Sequence, residues 1–273
     1  MTEIHTGCDA FKELYCQIHN GPKLTEQHDI PKELNWDLWP GTAPERPFAP
    51  RIYHPSKWRA WQDFGTGWSG DIGCHVFDAS WKAIGLTAPK TVHATVQQSW
   101  RQSPQRRADT WPQSDHITWT FPGTPLTEKD ELTVEWFDGR MYPPEEAKKW
   151  YPGTTYPPES ALMIGTEGAI LIPNGGGAML LPRDKYKGTA QPKLKARNHY
   201  HHFLDAILGN AKNESFFEQT GPMTEAILLG TVAIRNPGEK LNWDAKNLAI
   251  PGNPLAHKLL KREYRRGWQV AGF

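Results

Sequence analysis

The stretch Gly65-Thr66-Gly67-Trp68-Ser69-Gly70-Asp71-Ile72-Gly73-Cys74-His75-Val76-Phe77-Asp78-Ala79-Ser80-Trp81-Lys82-Ala83-Ile84-Gly85 is where the fold of this chain becomes readable. Apolar residues at 72, 76, 79, 83 and 84 recur at helical spacing, which predicts one long amphipathic helix. Gly85 is a suitable stop, because glycine adopts the left-handed conformation at a helix end without steric cost. Pro89 opens the next connection. The glycines ahead of the helix let another group come close to its first turns.

Downstream the pattern changes to strands. Thr91–Trp100, His116–Phe121, Glu131–Asp138, Leu162–Gly165 and Ala169–Ile172 are the predicted strands, with β-favouring Thr118, Trp119, Val134 and Trp136 among them. Asp138-Gly139 and Thr166-Glu167-Gly168 read as turns. Gly175-Gly176-Gly177 lacks the Lys-Ser/Thr of a phosphate loop and reads as a turn before a short strand, Ala178–Leu181. Helices return at His199–Leu208, at Thr220–Ala233 with Pro222 in its first turn, and at Pro254–Tyr264. One long helix, a run of strands and then helices predict an α+β fold: a mostly antiparallel open sheet with helices packed on one face.

Upstream, residues 20–60 are rich in proline and aromatics. They read as an irregular but ordered excursion held by Trp36, Trp39, Phe48 and Tyr53, with disorder as the alternative. A strand is expected at Thr2–Thr6, with no residues leading into it.

Composition excludes several classes. Of 273 residues, 31 are Lys or Arg and 30 are Asp or Glu, which leaves no electrostatic case for nucleic acid or an anionic membrane as the main partner. No run approaches the ~20 apolar residues of a membrane-spanning helix. The first eleven residues lack a basic-then-apolar leader pattern, and no compartment can be read from the sequence. Cys8, Cys16 and Cys74 are odd in number and form no C-x-x-C pair, so neither a disulfide framework nor a thiolate zinc site is favoured. The 13 tryptophans read mainly as core and loop anchors, with a few lining a pocket.

Asp71 and His75 are the sharpest chemical pair. Four residues apart on the predicted helix, they share a face beside the glycine-rich approach. A carboxylate that orients an imidazole suits a base taking a proton from a hydroxyl. The alternative is that Asp71 caps the helix and His75 packs in the core. His199, His201 and His202 form a second cluster. Adjacent histidines diverge on a helix and no acidic residue stands at ligand spacing, so no metal site is assigned. Trp58-Arg59 sets an aromatic face beside a cation; a surface cation–π pair is the plain alternative.

Taken in order, these segments resemble the Gfo/Idh/MocA oxidoreductases. Trp58-Arg59, Gly65-Thr66-Gly67 and Gly70-Asp71-Ile72-Gly73-Cys74-His75-Val76-Phe77-Asp78 are similar to that family's Trp-Arg, glycine-triplet and Asp-x-Gly-x-His-x-x-Asp stretch. The approach from Leu34 to Pro47 resembles a bacterial subgroup with long C-terminal domains. So do Phe203-Leu204-Asp205-Ala206-Ile207, Gly221-Pro222-Met223-Thr224-Glu225 and Leu241-Asn242-Trp243-Asp244. The resemblance implies a C-terminal domain that shapes the substrate pocket of an NAD- or NADP-dependent sugar or polyol oxidoreductase. It implies His75 as catalytic acid/base and Asp71 as its partner or a ligand for a substrate hydroxyl. Trp58 and Arg59 would lie against the cofactor, and His199 and His202 would reach the pocket. Family members build oligomers through the open sheet.

The departures bound the activity. Thr66 interrupts the glycine triplet. The family's Gly-x-Gly-x-x-Gly loop and Glu-Lys-Pro lysine belong to an N-terminal Rossmann domain, and these 273 residues hold no strand, glycine fingerprint and helix of that kind. The expectation is one domain over 1–273 without a Rossmann half, inactive alone, with the nucleotide site supplied by a partner chain or a longer parent. Alternatives are a non-catalytic carbohydrate-binding or oligomerisation module and, more distantly, a metal-dependent hydrolase.

Overall fold

Alternation along one strand shows how the sheet is covered. In β3 (Asp115–Pro122), Asp115, Ile117, Trp119 and Phe121 are buried, while His116, Thr118, Thr120 and Pro122 are only partly so. Successive side chains of a strand point to opposite faces, so one face carries the core and the other a partly open polar surface. The computed structural model describes residues 3–8 (backbone only), 27–151, 158–190 and 192–272.

Among the described residues, eight strands form a single sheet in the order β7-β6-β5-β1-β4-β3-β2-β8. They are β1 (Glu3–Cys8), β2 (Thr91–Val96), β3, β4 (Glu131–Asp138), β5 (Ser160–Ile164), β6 (Ala169–Pro173), β7 (Met179–Leu181) and β8 (Leu241–Asn242). β1 runs parallel to β4, and every other neighbouring pair is antiparallel. The fold is therefore α+β with a mostly antiparallel open sheet, as the sequence predicts. β1 extends to Cys8 because its ladder with β4 continues to Asp138.

Two helices cover the core face. Helix α1 (Gly67–Ile84) buries Val76, Phe77, Ser80, Trp81 and Ile84 and ends at Gly85, whose φ is 72°. Phe77 meets Trp81 edge-on at 5.5 Å, and Trp81 meets Phe121 at 5.7 Å. Each such ring removed from water contributes about 1.5–3 kcal/mol. The later helix at Phe217–Arg235 packs beside α1, and the buried Trp119 Nε1–H donates to the Ala226 carbonyl at 2.8 Å.

Three of the boundaries that differ from the sequence reading do so for a clear physical reason. β2 stops at Val96, because Gln97 begins a turn into the short helix α2 (Gln98–Arg101), followed by α3 (Pro104–Asp109). After β4 comes α4 (Glu145–Lys148), then α5 (His199–Ile207) and α6 (Phe217–Arg235). α6 begins three residues ahead of the expected Thr220, since the Phe216 carbonyl already accepts from the Gln219 and Thr220 amides. Pro222 thus falls in the second turn. α7 (Pro254–Lys258) is half the expected length. Beyond it the chain peels away so that Arg262 can donate to the Gln62 and Asp63 carbonyls and Arg265 to those of Gly41 and Asp37.

Those arginines fasten the proline-rich segment, whose described part starts at 27. Trp36 stacks on Trp39 at 5.1 Å and touches Phe48 at 5.2 Å; Tyr53 meets Trp61 at 5.2 Å. Arg46 bridges the carboxylates of Asp63 and Asp109 and so ties the segment to α3. Ala49, Ile52, Tyr53 and Trp61 join the same core cluster as the sheet and helices.

Candidate functional site

The site grows from the approach to α1. Lys57–Ala60 forms a 3-10 turn that carries Trp58 and Arg59. This turn lies hard against Gly65: a Cβ there would fall 2.7 Å from the Arg59 Cα and 2.8 Å from its carbonyl oxygen, contacts no side chain tolerates. Gly67 has φ 71°, a conformation that favours glycine, and the Trp111 ring lies against it. Trp111 Nε1–H donates to the Gly65 carbonyl at 2.9 Å and pins the approach. These glycines thus bring the Trp-Arg turn onto the first turns of the helix.

The result is an ion pair. Arg59 Nε donates to Asp71 Oδ2 at 2.6 Å, with the two side chains 30% and 23% exposed. The Arg59 guanidinium carbon stands 4.4 Å from the centroid of the Trp58 ring. Trp58, Arg59 and Asp71 therefore form one stacked, charge-paired unit. Asp71 does not cap α1; the cap position is Thr66.

His75 stands one turn beyond Asp71 and is exposed, not packed in the core. The Asp71 oxygen that is held is held by Arg59, and no hydrogen bond links Asp71 to His75 among the described residues. Asp78, one turn further, accepts from Gln219 Nε2 at 3.1 Å and from Lys82 Nζ at 3.2 Å. The Gln219 contact joins this helix face to the first turn of α6. Burial raises the pKa of the half-buried Cys74 thiol between these residues above its ordinary value, so it is not an activated nucleophile.

His199 and His202 lie on α5, whose described residues are not buried. The His199 ring meets Tyr200 edge-on at 5.5 Å, and Arg197 Nη1 lies 3.1 Å from His202 Nε2. Among the described residues, no hydrogen bond or ion pair joins them to Asp71, His75 or Arg59. No group of three or more His, Cys, Asp or Glu among the described residues is arranged to hold a metal ion. No helix among them is long and apolar enough to cross a membrane.

One pair of titratable residues escaped the sequence reading. Asp115 and Asp138 lie at the adjoining ends of β3 and β4, both buried. Asp138 Oδ1 accepts from the Asp115 amide at 2.9 Å and Oδ2 from Trp136 Nε1 at 3.1 Å. Burial drives both carboxyls upward, Asp138 to about 7 and Asp115 well above its ordinary value, with the Asp138 charge adding to the effect on Asp115. The signal was in the alternation: Asp115 shares the inward phase of Ile117, Trp119 and Phe121.

Chemically, α1 offers an exposed imidazole one turn from a carboxylate that keeps one oxygen for a further donor. An accessible imidazole can take or give a proton at a ligand hydroxyl, and the carboxylate can accept a hydrogen bond from a neighbouring one.

A search of curated proteins finds no match. A solved NAD-binding protein from Listeria innocua is similar in structure at a TM-score of 0.42 and 12% identity, over 89% of this chain and 55% of that one. The chain thus spans about half the length of that protein. Residues 6–123, which include Trp58, Arg59, Asp71 and His75, match the model of the oxidoreductase family, C-terminal alpha/beta domain. The resemblance read from the sequence is thus borne out over residues 6–123, by the match to the C-terminal alpha/beta domain model of that oxidoreductase family.

Proposed function

We propose that this chain is a single substrate-binding domain for a sugar or polyol, the carbohydrate half of an NAD(P)-dependent oxidoreductase. The observation that carries it is the juxtaposition on α1 of an exposed His75, an Asp71 set by Arg59, and a Trp58 stacked under that arginine. A polyol presents adjacent hydroxyls. In this reading His75 holds or moves the proton of one, and Asp71 Oδ1 accepts from its neighbour. Arg59 keeps the Asp71 carboxylate in one orientation, so little ordering remains to be done on binding.

Trp58 and Arg59 fit the edge of a nicotinamide, because they set a flat ring beside a fixed cation. When bound there, the nicotinamide would accept or donate the hydride. Hydride transfer needs that ring held close to the reacting carbon. The described residues hold no strand, glycine loop and helix to cradle a pyrophosphate, so the reading assigns that task to a nucleotide-binding domain outside them. These residues alone are then expected to bind but not to turn over. His199 and His202 would join the pocket only through a shift of α5. Self-association through the open sheet face, with His116 and Glu135 in contact at 2.7 Å on it, belongs to the same reading.

Calorimetry with a panel of sugars and polyols tests the proposal. Saturable binding that disappears in His75→Ala is expected. No binding to any member, or binding indifferent to His75→Ala, contradicts it.

A second reading, an oligomerisation module without a ligand, is favoured by one observation. Tyr200, Phe203, Leu204 and Ile207 along α5, with Leu208 at its end, are 80%, 61%, 53%, 65% and 63% exposed. Contiguous apolar surface of that kind marks interaction sites. Light scattering on wild type and on a Phe203→Ser, Ile207→Ser double variant separates the two readings.

A further inference from the structure

Two carboxylates buried side by side cannot both carry charge without a cation, and among the described residues none is supplied. Among the described residues, no Lys, Arg or His forms a hydrogen bond or ion pair with Asp115 or Asp138. Asp138 takes two donors, the Asp115 amide and the Trp136 indole. Asp115 Oδ1 is shut off from solvent and has no hydrogen-bond partner among the described residues. An orphaned carboxylate oxygen at full burial costs several kcal/mol if it is charged.

The described surroundings add no counter-charge. β2 sets Val96 opposite Asp115 and leads into Gln97. β1 sets Cys8 opposite Asp138. The preceding turn brings Gln113 and Ser114, and the following one Gly139 and Arg140, whose amide donates to Ser114 Oγ at 3.0 Å. From α1, Ser69 and Gly73 line a small apolar cavity together with Trp136. Of these neighbours with described side chains, Arg140 is the titratable one, and it forms no hydrogen bond or ion pair with either carboxylate.

We propose that Asp115 and Asp138 are a proton-holding pair that latches the β3–β4 strand ends, and that losing the proton loosens the seat of Trp136 against α1. The step is a simple acid dissociation: the carboxylic O–H breaks and the proton passes to solvent. The negative charge left behind then stays in the interior. Trp136 links the pair to the cavity wall shared with Ser69 and Gly73, on the helix that carries Asp71 and His75 on another face. The latch is thus a pH-sensitive device built into the fold, and it stands independently of the ligand proposed above.

Indole NMR of the full chain, labelled with 15N-tryptophan, tests it between pH 5 and 9. The Trp136 signal is assigned by its loss in Trp136→Phe. Expected is a movement of that signal with a midpoint near neutral pH. In Asp115→Asn the side-chain amide N–H can donate to the Asp138 carboxylate, so the midpoint should fall by at least one pH unit. In Asp138→Asn the titration should vanish. A Trp136 signal constant over the range in the wild type overturns the proposal, whether or not either variant folds. A midpoint in the ordinary carboxylate range, or a titration unchanged in Asp115→Asn, overturns it equally.

Discussion

Arg59 Nε donates to Asp71 Oδ2 at 2.6 Å, across the boundary between a 3-10 turn and the helix it introduces. The contact orients the carboxylate that would face a ligand, and it uses a side chain whose other neighbour is the Trp58 ring. Both partners are partly exposed, so water screens the attraction. Asp71→Asn should therefore cost about 1 kcal/mol or less in urea unfolding while weakening polyol binding at least tenfold. A loss of stability several times larger would make the pair structural and not a ligand site.

The glycine at 65 has a tighter constraint. Its missing Cβ would meet the backbone of Arg59 at 2.7 and 2.8 Å, and backbone cannot swing aside as a side-chain tip can. Gly65→Ala should destabilise by about 1–3 kcal/mol, the usual cost of forcing atoms into a packed space. It should also displace Arg59 from Asp71. Wild-type unfolding midpoints in this variant would show that the turn packs less closely.

Arg46 holds the proline-rich segment to the rest of the chain. Burial works against its charge, but hydrogen bonds to Asp109 and Asp63 outweigh it and keep the guanidinium above its ordinary value. The side chains are 17–24% exposed. Arg46→Met leaves two half-buried carboxylates without their cation and should cost about 2 kcal/mol or more. Limited proteolysis should then cut first between residues 27 and 60. Unchanged stability and cleavage would contradict the anchoring role.

Stability should fall as pH rises, in a window set by the buried pair. Asp138 titrates near 3.8 when unfolded and near 7 when folded. The folded chain therefore holds a proton that the unfolded chain has given up. The contribution is complete below about pH 4 and is lost as pH rises through about 7, at up to about 1.4 kcal/mol per pH unit for each proton. Urea unfolding at pH 5 and pH 7 should show this decline in the wild type and a flatter one in Asp138→Asn. Equal slopes would contradict it.

Local pattern carried most of the architecture. The helix at 67–84 was legible because Ile72, Val76 and Ile84 keep helical spacing and Gly85 ends it. The face was read less well: Ala79 and Ala83 belonged to the expected stripe but are exposed, and Phe77, Ser80 and Trp81 do the packing. A helix wedged between a sheet and a second helix buries a wider arc than periodicity alone suggests. The strands were legible from β-favouring alternation, but β2 was extended through Trp100 because nothing local announces the turn at Gln97. Order in the sheet was not legible, since pairing β1 with β4 joins residues more than a hundred positions apart. Separation in sequence likewise hid the Arg46 bridge to Asp63 and Asp109, 17 and 63 positions away, and the arginines at 262 and 265 that cut α7 short. In the candidate site, spacing alone placed Asp71 and His75 on one face. Spacing could not show that the carboxylate answers to Arg59, because that contact depends on how a glycine lets two segments meet.

A crystal structure of the chain with the tightest-binding polyol of the calorimetric panel tests the central claim most directly. Adjacent hydroxyls should lie about 2.6–3.2 Å from the His75 ring nitrogen and from Asp71 Oδ1, with Arg59 still holding Oδ2. A polyol seated away from α1, or one that leaves both side chains in contact with water only, would contradict the account.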